Sequence, residues 1–402
     1  MQTVDTRESV IQEILTRGVE ECVGCDDLKA RLASGLPLRV KLGIDPTSPN
    51  IHIGRAVALL KMRDFQRAGH TVVFIVGDFT GVIGDTSDKD SERPMLTREV
   101  IEENKKHYFA QAGKLLDLSR AELHHNTEWL ESLTYREIGE HADLFSVADF
   151  IARENIKKRL TAGKRVSLRE MLYPLMQGYD SVAVRADVEL GGTDQRFNIL
   201  AGRTLQEHFG QRPQSIITNP LVAGLDGRKM SSSWGNTINL ADTPEDMYGK
   251  VMSVRDELVL NYFELCTRVS LEEVRVLQDG LTRGTVHPKD AKMRLARELV
   301  TLYYDEESAR RAETSFVRTF SASGVPDDAR VLEAGEGVPY VDLLVGEGVV
   351  ASRSEWRRLV AAGAVCVIAD GEEQVMRDEH ACIQSTHILR VGKKRFLRIV
   401  LV

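Results

Sequence analysis

An α/β fold built on a doubly wound parallel sheet, followed by smaller domains, is predicted by three features of the sequence. A strand-like run at Leu38–Leu42 passes through Gly43 and the turn cluster Asp45-Pro46-Thr47-Ser48-Pro49-Asn50 into a helix with apolar residues at Val57, Leu60, Met62 and Phe65. A continuous β-branched run, Thr71–Val76, follows, of the kind buried on both faces of a parallel sheet. Strand, helix and strand at this spacing imply a right-handed crossover, and such sheets take ligands at the carboxyl ends of their strands.

The first connection also has the chemistry of an anion site. Helix N-terminal amides and the helix dipole face whatever sits at the end of the first strand. His52 and Arg55 are donors at that helix mouth, and Gly54 leaves room for a ligand beside the backbone.

Bulk properties narrow the class. The 402 residues allow two or three domains with filled cores, and 42% hydrophobic with 28% charged residues is ordinary globular composition. Apolar runs long enough to cross a membrane are absent from the sequence, and the segment Met1–Gly18 is charged and amphipathic, unlike a signal peptide. A net charge of −7 argues against non-specific coating of nucleic acid while leaving room for a local basic face. Cys22, Cys25, Cys266, Cys366 and Cys382 are odd in number and scattered, which suits a reducing cytoplasm. Cys22-Val-Gly-Cys25 lacks the second half of a metal site and is set aside.

In chain order, helices are expected from Glu8 and from Asp26 to Leu32, before the first core strand. After Thr71–Val76 the chain runs through Gly77-Asp78-Phe79-Thr80-Gly81 to Asp85. Asp88–Pro94 is a charged loop in which Lys89 and Arg93 either close over phosphates or are simply solvated. Thr97 is placed to cap a helix expected to continue through Ala112. A strand is expected at Glu122–Asn126, then helices from Leu133 to about Arg159.

The stretch Leu172–Asn198 holds a second cluster. Tyr173, Gln177 and Asp180 fall at i, i+4 and i+7, so one helical face carries a phenol, an amide and a carboxylate. Apolar neighbours on the other faces imply that these groups line a pocket. Val188–Leu190 reads as a strand, Gly191-Gly192 admits a ligand at its end, and Asp194 follows at a helix start, where a carboxylate suits ribose hydroxyls. Beyond a strand at Ser215–Thr218 comes the Gly- and Ser-rich loop Asp226-Gly-Arg-Lys229-Met-Ser231-Ser232-Ser233-Trp-Gly-Asn236, expected to be mobile. Pro244–Phe320 is nearly all helical, 321–337 has linker composition with a possible strand at its edge, and 338–402 is a compact α+β tail. Arg353, Arg357, Arg358, Lys393, Lys394 and Arg395 concentrate cations at a helix and a hairpin of that tail.

His52-Ile-Gly-Arg55 resembles the first signature of the class I aminoacyl-tRNA synthetases, and Lys229-Met-Ser-Ser-Ser233 resembles the second. Two unrelated motifs in the right order are far more specific than either alone. With Gly43-x-Asp45-Pro46-Thr47, the Tyr173-x3-Gln177-x2-Asp180 face and a tail similar to the S4 RNA-binding fold, nearly the whole chain resembles the bacterial tyrosyl-tRNA synthetase family.

That resemblance implies a Rossmann-like catalytic domain over 1–240 with a helical insertion at about 115–180. Behind it would come an α-helical anticodon-side domain at 241–322, a linker at 323–337 and an S4-like RNA-binding domain at 338–402. The implied reaction joins L-tyrosine and ATP, brought with Mg²⁺, into tyrosyl-adenylate and then charges tRNA(Tyr). Thr47, His52, Arg55, Lys229, Ser231 and Ser232 would serve catalysis. Gly54, Lys89, Arg93, Gly192, Asp194 and Lys229 would bind ATP. Asp85, Tyr173, Gln177, Asp180 and Gln195 would bind tyrosine, and the six tail cations tRNA. A cytoplasmic homodimer is implied by the same resemblance. Three positions depart from the family pattern: Arg55 for a second histidine, Ser232 for a second lysine, and Lys41 where some members place a tyrosine against the substrate phenol. The first two leave a catalytically weak or silent paralogue, acting through RNA, as the rival reading. A synthetase for another amino acid is the other rival. A dehydrogenase is disfavoured because Gly-x-Gly-x-x-Gly does not follow the first strand.

Overall fold

In a computed structural model, residues 3–86, 95–320, 329–369, 372–392 and 395–401 are described. The chain divides into two compact units, Met1–Ala309 and Arg310–Val402.

The first unit is centred on a six-stranded sheet: β1 (Glu21–Val23), β2 (Arg39–Ile44), β3 (Thr71–Val76), β4 (Ala121–His125), β5 (Val188–Gly192) and β6 (Ser215–Asn219), in spatial order β1-β6-β5-β2-β3-β4. All neighbours are parallel except β1, which runs antiparallel to β6 at the edge. The order reverses between β2 and β5: β3 and β4 build outward on one side, β5 and β6 on the other. Loops leaving β2 and β5 therefore diverge and open a crevice at their carboxyl ends.

Sequence pattern explains the central elements. From Val72 to Val76 every residue of β3 is buried, as expected for a parallel strand covered on both faces. The helix Ile53–Arg67 starts at His52, whose ring nitrogen accepts from the Arg55 amide at 3.3 Å, and it buries Val57, Leu60, Met62 and Phe65. The helix Leu168–Ala183 packs along the helix Arg196–His208 at a close approach through glycines. A Cβ on Gly178 would lie 3.0 Å from the Ala201 carbonyl carbon.

Two local differences from the sequence reading have clear causes. Thr97 does cap a helix, its hydroxyl accepting from the Val100 amide, but that helix ends at Lys105 and a separate turn runs from Tyr108 to Ala112. The break lets Tyr108 donate to the Ser48 carbonyl at 2.8 Å and Gln111 donate to the Pro49 carbonyl at 2.9 Å while accepting from the Ile51 amide at 2.8 Å. The second segment is thereby turned to hold the loop after β2. The stretch after β3 is a short helix, Asp78–Ile83. Asp78 at its start is tied by Thr127, whose backbone amide donates at 3.1 Å, and by Lys105, whose ammonium donates at 2.9 Å.

Helices follow at Pro244–Met252, Val259–Cys266, Leu271–Arg283, Pro288–Tyr303 and Glu306–Phe320. The second unit holds a five-stranded sheet of β7 (Arg330–Ala334), β8 (Val365–Ala369), β9 (Glu372–Val375), β10 (His387–Val391) and β11 (Arg395–Leu401), ordered β7-β11-β10-β8-β9. Helices Tyr340–Gly346 and Arg353–Ala361 cover it, with Trp356, Leu344, Leu389 and Ile399 buried between helix and sheet. The edge strands β1 and β9 were not expected; both are short, and neither has a strong alternation.

Candidate active site

The carboxyl ends of β2, β3, β5 and β6 meet in one cleft of about 380 Å³. Thr47, His52, Gly54, Arg55, Asp85, Tyr173, Gln177, Asp180, Gly192, Asp194, Gln195, Lys229, Ser231 and Ser232 all line it, from segments separated by nearly two hundred positions. Lys89 and Arg93 lie outside the described residues, as do Lys393 and Lys394.

One end of the cleft is acidic. Asp180 is buried on the helix Leu168–Ala183, where its carboxylate accepts from Trp129 Nε1 at 2.7 Å and from Asn126 Nδ2 at 3.4 Å. Burial pushes its carboxyl up to about 7, with Glu189 adding to the rise; Lys41 and the Trp129 and Asn126 hydrogen bonds act against it. Asp45, at the end of β2, accepts from Tyr173 Oη at 2.8 Å and from Thr80 Oγ1 at 2.7 Å. Burial holds the Asp45 carboxyl up at about 6 even though both hydrogen bonds favour the ionised form. Burial first, then the Asp45 and Asp85 carboxylates, raise the Tyr173 phenol well above its ordinary range, so it acts as a donor. Asp85 accepts from Gln195 Nε2 at 2.8 Å, and Asn198 braces Gln195 by donating to its carbonyl at 3.1 Å.

The other end carries donors and cations. The Arg55 guanidinium spans the loop after β2, donating to the Asp45 carbonyl and to Thr47 Oγ1, each at 3.3 Å. His52 is held neutral: burial, and then the neighbouring Arg55 and Lys229 cations, depress its imidazolium to about 3. Lys229 reaches from its loop to Asp194 Oδ2 at 3.1 Å. The loop is well tied, because Asn236 accepts from the Ser231 amide at 2.8 Å and donates to Asp226 Oδ1 at 2.7 Å and to the Lys229 carbonyl at 3.1 Å. Ser232 Oγ lies 3.2 Å from Ser48 Oγ, joining the two signature loops across the cleft.

Two glycines let the cleft's own side chains approach the backbone closely. A Cβ on Gly192 would come within 2.5 Å of Asp194 Oδ1, and one on Gly54 within 3.1 Å of His52 Nδ1 and 3.4 Å of Met230 Sδ. Such polarity, with buried carboxylates at one end and a permanent cation, a helix mouth and the loop lysine Lys229 at the other, suits a zwitterion bearing a hydroxyl at the first end and a polyphosphate at the second.

Beneath the acidic end lies a buried ion pair of which sequence reasoning had placed only Lys41 near the site, by resemblance, without its partner. Lys41 and Glu189 are register partners on β2 and β5 and form a fully buried ion pair, Nζ to Oε1 2.9 Å. Asn126, Trp129, Thr80 and the Asp45 carboxylate were likewise not expected to hold the pocket. The usable signal was the charge: one lysine and one glutamate, each flanked by apolar residues within a core strand, have few ways to be buried except opposite each other.

In the second unit Arg353 pairs with Asp342 at 2.5 Å and Arg357 with Glu379 at 3.1 Å, while Arg358 is exposed and the Arg395 guanidinium donates to the Val349 carbonyl.

Residues 33–321 match the family model described as tRNA synthetases class I (W and Y). A tyrosine–tRNA ligase of Moorella thermoacetica is 46% identical over 96% of this chain and 94% of its own length, and one of Thermotoga maritima 44% identical over 96% of each. A tyrosyl-tRNA synthetase of Archaeoglobus fulgidus, solved with L-tyrosine, shares the fold, with a TM-score of 0.61 at 24% identity over 76% of this chain and 99% of that one. By sequence over nearly its whole length, the chain belongs to the tyrosyl-tRNA synthetases, tyrosine–tRNA ligases of class I.

Proposed function

We propose that the residues of the cleft divide the two steps of this ligase as follows. L-Tyrosine lies at the acidic end with its phenol donating to Asp180. Its ammonium faces Asp85, Tyr173 and Gln177, and Gln195 orients the carboxylate. ATP lies across Gly54 and Gly192, with Asp194 accepting from the ribose hydroxyls. Thr47, His52, Arg55 and Lys229, with Ser231 and Ser232 on the loop, meet the phosphates, and Lys89 and Arg93 are assigned to ATP by the family resemblance. Mg²⁺ is carried in by the nucleotide phosphates.

A tyrosine carboxylate oxygen forms a bond to the α-phosphorus as the bond to the pyrophosphate oxygen breaks. The nucleophile is already an anion, so the chain's contribution is positioning and stabilisation of charge growing on the leaving phosphates. Arg55 serves here as a permanent cation and His52 as a neutral donor. A terminal-adenosine hydroxyl of tRNA(Tyr) then takes the tyrosyl group from the adenylate, releasing AMP.

Asp180 is the observation that carries the tyrosine assignment. A buried carboxylate with two protein donors still has capacity for a third, and a substrate lacking the hydroxyl leaves it unsatisfied. Selectivity against phenylalanine then needs no editing, and this family is itself the standard illustration of that rule. ATP–pyrophosphate exchange with tyrosine, phenylalanine and tryptophan tests the reading: exchange is expected with tyrosine alone, and Asp180→Asn should narrow the preference over phenylalanine. Equal exchange with tryptophan would overturn it.

The Arg353, Arg357, Arg358 and Arg395 face, with Lys393 and Lys394, is assigned to backbone phosphates of tRNA(Tyr). Large exposed apolar side chains at Tyr135, Val147, Ile151, Leu160 and Leu168 support a homodimer joined through the catalytic domain. Among the described residues no helix is long and apolar enough to cross a membrane. With five cysteines outside disulfides, the proposed location is the cytoplasm.

A further inference from the structure

The fully buried Lys41–Glu189 pair lies directly beneath the part of the helix that carries Asp180. Lys41 Nζ donates to the Gln177 carbonyl at 2.9 Å, to Ser181 Oγ at 2.8 Å and to Glu189 Oε1 at 2.9 Å, which uses all three ammonium protons. Glu189 is equally occupied: Gln177 Nε2 at 3.2 Å shares its Oε1, while Ser181 Oγ at 2.9 Å and Gln214 Nε2 at 2.5 Å donate to Oε2. The two helical residues so gripped, Gln177 and Ser181, flank Asp180 three positions before and one after. Gln177 is held by both its backbone and its side chain.

A buried ion pair is a poor way to gain stability, because desolvation of both charges offsets most of their attraction. Under a binding pocket, the same pair can decide the position and charge of its neighbours. Lys41 does not touch Asp180, so it acts through the helix and through its field.

We propose that Lys41 and Glu189 are positioning residues that hold Gln177 and Asp180 in register and balance the charge beneath the substrate hydroxyl, making Lys41 a determinant of selectivity for tyrosine over phenylalanine. This rests on the assignment of Asp180 to the substrate phenol.

Asp180 is faced by Lys41 from β2, Glu189 from β5, the Tyr173 phenol from its own helix, and the neutral donors Asn126 and Trp129 from the segment after β4. Asp45 and Asp85 face Tyr173. Lys41 favours the carboxylate and Glu189 opposes it, so removing either charge has the opposite effect on Asp180.

The test measures tyrosine and phenylalanine kinetics by pyrophosphate exchange from pH 5.5 to 9 in Lys41→Met, Glu189→Gln, the double variant and Asp180→Asn. K41M should move the acid limb of the tyrosine KM up by about one pH unit and E189Q should move it down, as expected for loss of one nearby charge of each sign. The double variant should return it toward wild type. K41M should also reduce the tyrosine-to-phenylalanine ratio of kcat/KM by about tenfold, chiefly through KM. Limbs that stay in place, or move in the same direction in both single variants, would overturn the proposal. If K41M does not fold, the downward shift in E189Q decides alone. Asp180→Asn separates the two levels. An unchanged ratio there removes the assignment of Asp180 itself, whereas a collapsed ratio there with no shift in E189Q removes only the role of the pair.

Discussion

Tyr173 donates its phenolic proton to the Asp45 carboxylate at 2.8 Å, joining the helix of the tyrosine end to the loop that opens the phosphate end. Asp45 receives a second bond, 2.7 Å from Thr80, itself a 2.9 Å acceptor for Asn126, which also reaches Asp180. Five side chains, Tyr173, Asp45, Thr80, Asn126 and Asp180, thus form one continuous chain of hydrogen bonds along the cleft.

Replacing Tyr173 with phenylalanine removes one end of that link and leaves the buried Asp45 with Thr80 alone. A loss of about 1–2 kcal/mol in stability is expected from denaturant unfolding. Tyrosine KM should rise more than ATP KM, and equal rises would place the phenol outside the amino-acid pocket.

Asp180 trades stability for recognition. Its carboxyl, pushed by burial up to about 7, keeps in the folded protein a proton that the unfolded chain releases near its ordinary value of 3.8. The folded state therefore binds more protons between those values, and its stability falls as pH rises through the window. Asp180→Asn has no such cost. It should melt a few degrees above wild type at pH 8 in calorimetry, with the difference shrinking as pH falls through 7 toward 5 and vanishing only below the ordinary carboxyl value of 3.8. A variant that melts lower at pH 8 and pH 5 alike would show the carboxylate to be a net structural support.

His52 is already neutral far below physiological pH, so it cannot be the source of a titration near neutrality. His52→Asn, which keeps a cap acceptor, should slow adenylate formation by roughly 100-fold. The pH dependence at saturating tyrosine should keep its wild-type shape in single-turnover measurements. Disappearance of an acid limb in the variant would mean that His52 does titrate.

Gly192 tests the nucleotide end. Alanine there sets a Cβ within 2.5 Å of Asp194 Oδ1 and must displace the carboxylate that Lys229 also meets. ATP KM should rise by about tenfold or more, with tyrosine binding by intrinsic fluorescence unchanged. Equal loss of both ligands would point to collapse of the β5 end instead.

For the second unit, Arg357→Ala with Arg358→Ala should leave pyrophosphate exchange intact while weakening tRNA. The slope of log affinity against log salt should fall by about 1–2. An unaltered slope would place the phosphate contacts elsewhere.

The order of the core elements was legible from local pattern. Val72–Val76 could only be a strand buried on both faces, and Tyr173, Gln177 and Asp180 share a helical face by spacing alone. The two signature segments were equally visible, because their chemistry is carried by contiguous residues. Arg55 and Ser232 were recognisable as departures, though not that Arg55 would span Asp45 and Thr47 or that Ser232 would meet Ser48.

Local pattern by itself determined the core strands, most of the helices and the identity of the groups that line the cleft, since periodicity and short motifs act over a turn or two of chain; the edge strands β1 and β9 and the helix break after Lys105 were not among them. Tertiary structure alone decided which of those groups meet. Lys41 faces Glu189, Trp129 and Asn126 hold Asp180, and Tyr173 turns to Asp45, because parallel pairing sets residues from distant strands in register. Burial then leaves each polar group no partner but the one the fold supplies.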